Sequence, residues 1–153
     1  MKKINYKLLI FNILLPLFIG VIGFLLGNPN SFDMINKPSF TPPSILFPIV
    51  WTILYILMGI SAYIIIISND SDKRKAYVIY ILQLIVNGLW TLFFFRLGWY
   101  LFSFIWILLL ITLVIIMIDR FYKINKVSGY LQLPYLLWLI FASILNFAVY
   151  LLN

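Results

Sequence analysis

Apolar residues run almost unbroken through five stretches of this chain: Tyr6 to Leu26, Ile45 to Ile67, Ala76 to Phe95, Trp99 to Ile118 and Tyr130 to Leu152. Each is close to the ~20 residues that a helix rising about 1.5 Å per residue needs to cross a bilayer. The runs are continuous rather than alternating, which disfavours barrel strands. A lipid-embedded segment must therefore close its backbone hydrogen bonds on itself, as helix. The predicted fold is an all-α membrane protein, a five-transmembrane-helix bundle forming one domain over residues 1–153, with little chain left for anything soluble.

Polar and breaking residues divide the pattern. Ser44 is placed to cap the second helix with Pro48 early in it, Ser71 or Asp72 to cap the third, and Ser128 the fifth, with Pro134 in its opening turns. Pro16 predicts a kink in the first. Arg96-Leu97-Gly98 is so short that helices three and four must form an antiparallel hairpin. The longest connection is residues 27–44, which carries Lys37-Pro38-Ser39-Phe40-Thr41-Pro42-Pro43. Its prolines fix φ and lower the entropy of holding one conformation over the bundle, so it reads as a lid. Gly23 and Gly27 form a GxxxG whose small residues would suit a dimer face.

Composition narrows the function. Hydrophobic residues make up 65% and charged residues 10%, and neither His nor Cys occurs. That removes disulfides, a thiol nucleophile and the usual side-chain ligands of zinc, copper and haem iron, so no metal is expected. The four acidic residues, Asp33, Asp70, Asp72 and Asp119, fall in loops or at segment ends, which argues against intramembrane carboxylates of the kind that drive ion pumps. The net charge of +7 is one-sided: Lys2, Lys3, Lys7, Lys73, Arg74, Lys75, Arg120, Lys123 and Lys126 lie at one end of a five-pass bundle, against Lys37 and Arg96 at the other. Such asymmetry sets topology against anionic lipid rather than marking a nucleic-acid surface. It predicts a multi-pass plasma-membrane protein with its amino terminus cytoplasmic and the 27–44 loop and carboxyl terminus outside. The first segment, although preceded by lysines, lacks a small-x-small cleavage pattern and is kept as a span rather than a signal peptide.

Polar and aromatic residues recur at helical spacing inside the spans. Gln83, Asn87, Trp90 and Phe94 share one face of the third helix; Trp138, Ala142 and Asn146 share one of the fifth; and Pro48, Trp51, Tyr55, Gly59 and Ala62 make a stripe on the second. Amides buried in a membrane need partners. They could glue helices together, with Trp99, Tyr100 and Tyr130 as an interfacial belt, or they could line a pocket in which small Gly59 and Ala142 leave room and indoles receive a flat conjugated ligand.

Four blocks of sequence carry a resemblance. They are Lys37 to Pro43; Pro48-Ile49-Val50-Trp51-Thr52-Ile53-Leu54-Tyr55 with Met58-Gly59; Asn87-Gly88-Leu89-Trp90 with Phe93-Phe94; and Pro134-Tyr135-Leu136-Leu137-Trp138 with Phe141-Ala142-Ser143 and Leu145-Asn146. Together, and in this order, they resemble the translocator protein, or tryptophan-rich sensory protein, family, also called the peripheral benzodiazepine receptor family. The resemblance implies a five-helix bundle, commonly a homodimer, whose first loop closes a pocket for tetrapyrroles such as protoporphyrin IX and, in animal relatives, for cholesterol and benzodiazepine- or isoquinoline-type ligands. No tightly bound cofactor is implied. By position it implies ligand contact at Trp51 and Trp138, which would also carry any light-dependent breakdown of porphyrin, with Asn87, Trp90 and Ala142 beside them. Phe40, Pro42, Pro43, Tyr55 and Asn146 complete the candidate site. Phe40 departs from the family, which usually has tryptophan there, and no Lys or Arg follows Tyr150, so the sterol motif of animal members is missing. Three functions stay open: a tetrapyrrole-binding or sensory module, a photochemical porphyrin-degrading protein, and a passive transporter of a hydrophobic small molecule.

Overall fold

A computed structural model describes residues 4–153, with residues 29–31 described in their backbone alone. Lys2 and Lys3 of the expected basic start lie outside the described residues. Helix α1 (Tyr6–Gly27) is followed by a 3-10 turn (Pro29–Met34), then α2 (Leu46–Ile66), α3 (Lys73–Thr91), α4 (Tyr100–Ile124), α5 (Lys126–Leu131) and α6 (Leu133–Leu152). With α5 and α6 counted as one span, five helical segments are long and apolar enough to cross a membrane, and no strand occurs among the described residues.

The helix ends differ from the sequence expectations. Asn5 caps α1 by accepting from Leu8 N at 3.1 Å, and Asn125 caps α5 by accepting from Ser128 N at 3.1 Å. Ser128 is no cap, because its hydroxyl is buried and used elsewhere. Neither Ser44 nor Asp72 caps through its side chain: Ser44 offers only its carbonyl to Phe47 N at 3.3 Å, and Asp72 at the α3 start makes no capping bond. Pro134 does sit in the first turn of α6. The fourth helix runs to Ile124, past the expected end at Ile118, because the Asp119–Lys123 pair at 2.7 Å supports its last turn. At the other end α3 passes into a π-helical turn (Leu92–Arg96) before Gly98, whose φ of +65° closes the tight hairpin to α4.

The spans form a ring with one weak join. Backbone-close packing joins α1 to α2 and to α3, α3 to α4, and α4 to α6. The α1–α2 contact is closest at Gly59, where a Cβ would stand 2.5 Å from Ile13 Cα and 2.6 Å from the Asn12 carbonyl oxygen. The space Gly59 leaves is therefore filled by α1 backbone and not by a ligand, against the sequence expectation. The GxxxG expectation is corrected likewise: Gly23 and Gly27 face α3 of the same chain, where Thr91 Oγ1 donates to the Gly23 carbonyl at 2.8 Å. The weak join lies between α2 and α6. At the end carrying Lys73 and Lys126, α2 meets α5 through a buried clasp in which Ser61 Oγ bonds the Ser128 carbonyl at 2.8 Å and Ser128 Oγ bonds the Ser61 carbonyl at 2.9 Å. Beyond it α2 and α6 diverge, and only long side chains bridge them.

Candidate functional site

The divergence of α2 and α6 leaves a cleft of about 430 Å³ lined by Val50, Ile53, Leu54, Pro134, Leu137, Trp138 and Phe141. Its walls are almost wholly apolar, and Ile53 and Leu137 at its mouth are 53% and 67% exposed, so it opens on the surface that faces lipid. Trp138 provides the one indole of this lining. Its ring is half-buried, while its Nε1 is buried and has no hydrogen-bond partner among the described residues. An unpaired donor there costs about 1–3 kcal/mol relative to a paired one.

Trp51 is half-buried as well and faces other rings. It lies 5.3 Å from Tyr55 and 6.2 Å from Tyr135, centroid to centroid, whereas Trp138 packs on Phe47 at 5.9 Å and Phe141 at 5.4 Å. Behind the two indoles runs a hydrogen-bonded chain. Tyr55 OH donates to Asn87 Oδ1 at 2.8 Å, Asn87 Nδ2 donates to Tyr135 OH at 3.0 Å, and Tyr135 OH donates to Gln83 Oε1 at 2.9 Å. Nearer the loop, Asn146 Oδ1 accepts from Trp90 Nε1 at 3.0 Å and from Ser103 Oγ at 3.1 Å, and Asn146 Nδ2 donates to the Tyr100 carbonyl at 2.8 Å. Asn87 and Asn146 thus find their partners on neighbouring helices, which makes them interhelical ties. Ala142 is buried one turn from Trp138.

The long connection lies over this end of the bundle. Its anchoring ring is Phe32, which meets Phe47 of α2 at 5.5 Å and Phe95 at 5.9 Å and carries the Lys37 ammonium 4.4 Å above it. Asn36 fastens the loop to the far end of α6: its N–H donates to Asn153 Oδ1 at 2.9 Å, and Asn153 Nδ2 donates to its carbonyl at 3.0 Å. The loop therefore bridges α2 and α6 across their open side. Thr41 folds back on Pro38, its Oγ1 donating to that carbonyl at 2.7 Å, while Phe40 and Pro43 are exposed and Pro42 is half-buried.

The structure thus brings Trp51, Tyr55 and Asn87 together and separately joins Trp90 to Asn146. It places Trp138 in the cleft wall, buries Ala142 in the core one turn further along α6, and leaves Phe40 and Pro43 at the surface of the loop. Three residues absent from the sequence-based set belong with them. Tyr135 is fully buried and links Asn87 to Gln83; its place one turn before Trp138 on the same stripe was the signal. Phe47 packs on Trp138, and Phe32 fixes the loop through contacts that no local pattern announces.

The chain matches the TspO/MBR family over residues 12–152. A tryptophan-rich protein TspO of Archaeoglobus fulgidus is 43% identical over 78% of this chain and 77% of its own length. The protein CrtK of Rhodobacter capsulatus is 34% identical over 88% and 85%, and the human translocator protein is 31% identical over 76% and 70%. On sequence and helical architecture together, the chain belongs to the TspO/MBR family of multi-pass membrane proteins.

Proposed function

We propose that this protein binds a tetrapyrrole of the protoporphyrin IX type in the α2–α6 cleft, beneath the 27–44 loop, as a sensory or porphyrin-handling membrane protein. The observation that carries this reading is the Trp138 Nε1, buried without a partner beside an apolar cleft within the ~300–1,000 Å³ range of small-molecule sites. A flat macrocycle stacks on indole and benzene rings, and a turn of the Trp138 ring that uncovers its buried Nε1 lets a carboxylate or imine-type ring nitrogen accept the orphan N–H. Trp51, through Tyr55 and Tyr135, stiffens the wall behind it. Benzodiazepine- or isoquinoline-type compounds would use the same rings. The one-sided charge supports an amino terminus in the cytoplasm and the loop outside, in the plasma membrane. A homodimer, if formed, would use a surface other than the buried Gly23 and Gly27.

The test is titration of purified protein in lipid nanodiscs with protoporphyrin IX, read by tryptophan fluorescence. Saturable quenching is expected, weakened about tenfold or more in Trp138→Phe, which removes the N–H while keeping a ring. Equal affinity in the variant and the parent overturns the site. Illumination of the bound pigment then separates binding from chemistry: a new absorbing product that requires Trp51 and Trp138 supports photodegradation, and bleaching identical to free pigment refutes it. Flux of pigment into sealed vesicles addresses passive transport, which the lipid-facing mouth of the cleft favours over a route through the bundle.

A further inference from the structure

A ligand can reach the α2–α6 cleft by two routes, from water past the 27–44 loop or from lipid through the cleft's own open side. The lining comes from two helices alone: Val50, Ile53 and Leu54 of α2, and Pro134, Leu137, Trp138 and Phe141 of α6. No residue of the loop is among them. Ile53 and Leu137, both exposed, form the mouth. Counted from the lysine-rich end at about 1.5 Å per helical residue, Ile53 lies ~20 Å in from Ile66 and Leu137 ~16 Å in from Lys126, so both stand near the middle of a ~30 Å hydrocarbon core. The mouth faces acyl chains, and passing it breaks no bond within the protein.

The loop side is tied shut. Asn36 makes three hydrogen bonds to the end of α6: its N–H donates to Asn153 Oδ1 at 2.9 Å, its carbonyl accepts from Asn153 Nδ2 at 3.0 Å, and its Nδ2 donates to the Leu152 carbonyl at 3.2 Å. Phe32 lodges against Phe47 and Phe95, and the Lys37 ammonium over its ring is also held by Asp33 at 3.2 Å. Raising the loop would break these contacts together and still expose none of the side chains that line the cleft.

We infer, on the reading that this cleft is the tetrapyrrole site, that its ligand is a membrane-dissolved molecule entering sideways from the hydrocarbon layer between Ile53 and Leu137, and that the 27–44 loop is a fixed strap rather than a moving lid. Molecules that partition into the bilayer reach the cleft; water-soluble ones of the same shape do not. The open side also lets the outer edge of a macrocycle rest in hydrocarbon, where an apolar rim costs nothing in solvation.

The chain has no cysteine, so thiol chemistry can close each route separately in the full chain, reconstituted in lipid vesicles. In one variant, Asn36→Cys with Asn153→Cys, a short bis-maleimide locks the strap to α6. In the other, Leu137→Cys carries a bulky maleimide at the mouth. Binding of protoporphyrin IX is followed in time by tryptophan quenching, before and after modification of the same sample, so each variant is its own folding control. Locking the strap is expected to change the association rate less than twofold, whereas the label at the mouth slows association, and release of preloaded pigment, about tenfold or more. Tenfold slowing by the lock overturns the inference, as do unchanged rates with the label at Leu137→Cys and, separately, at Ile53→Cys. The two readings fail differently: slowing by the lock alone overturns the route and leaves the site, while absence of saturable quenching in the unmodified protein overturns the site and the route with it.

Discussion

Gly59→Ala tests how the bundle is held together. The added methyl would stand 2.5 Å from Ile13 Cα, 2.6 Å from the Asn12 oxygen and 2.9 Å from the Asn12 carbonyl carbon. Carbon contacts are comfortable at about 3.5–4.0 Å, so roughly 1 Å of relief is needed. All three atoms are backbone, and no rotamer change supplies it; α1 and α2 must part. Pro16 sharpens the point, since without an N–H it cannot donate to the Asn12 carbonyl four residues earlier. That oxygen instead faces a Gly59 hydrogen, a weak C–H···O contact that the methyl replaces with a clash. Overpacking of this kind costs about 1–3 kcal/mol, and at ~2–4 °C per kcal/mol the apparent Tm should fall by roughly 2–12 °C. Thermal denaturation in detergent, followed by circular dichroism, measures it. Gly88→Ala is the control, because its methyl would meet the Ile19 Cγ2 at 3.1 Å, a side-chain atom able to move. Equal shifts in the two variants, or none in Gly59→Ala, refute the backbone-contact argument.

Asn146→Leu strands Trp90 Nε1 and takes the Nδ2 donor from the Tyr100 carbonyl, while Ser103 Oγ keeps its bond to that carbonyl, and should lower the apparent Tm more than Trp90→Phe, which removes one donor, by about 1–2 kcal/mol equivalent. Asn153→Ala, which removes both side-chain bonds to the Asn36 backbone, should leave the Tm nearly unchanged but speed amide hydrogen exchange across residues 28–45, and unaltered exchange would show that Phe32 alone holds the loop. The Lys75 ammonium, by hydrogen bond and then by charge, holds the exposed Asp72 carboxyl below its ordinary value. Its contribution to folding is thus present above the unfolded-state pKa and fades as pH falls through the lowered folded value. Lys75→Met should move the Asp72 titration upward in a carboxyl-labelled NMR experiment, incompletely because Arg120 still acts on it.

The spans, the α3–α4 hairpin and the long loop were legible in the sequence because lipid leaves the backbone few choices: an apolar run of sufficient length must be helix, and Arg96-Leu97-Gly98 permits only a reversal. Helix ends were less legible, since Asn125 and Ser128 are both competent caps and only the burial of Ser128 against Ser61 decides between them. The amide stripes were visible as stripes, yet their meaning depended on what stood opposite. Asn87 reads as a ligand contact until Tyr55 and Tyr135 appear on either side of it. Gly59 and the Gly23–Gly27 pair show the same ambiguity, since a missing side chain marks a close approach without saying whether a ligand, a second copy or the chain's own backbone makes it. Phe32 could not be singled out at all among the fourteen phenylalanines of the chain.

The arrangement of polar ties explains why the cleft lies where it does. In an apolar solvent, helix association rests on packing and on such ties rather than on burial of greasy surface. The Ser61–Ser128 clasp pins α2 to α5 at the lysine-rich end, and the small Gly129 keeps α5 against Tyr122 of α4. No comparable backbone tie joins α2 to α6 further along, and the bulky rings of Trp51, Tyr135, Phe47 and Trp138 hold the two helices apart. The pair is a V, closed at one end by serines and spanned at the other by a loop fastened to α2 through Phe32 and to α6 through Asn36. Opening the cleft wider would break the Asn36–Asn153 bonds; closing it would force Trp138 into Val50 and Leu54, which share its lining. Both limits act on the same small volume, so its width is set by the fold rather than by an occupant, and a ligand that fills it need not bear the entropic cost of ordering its own site.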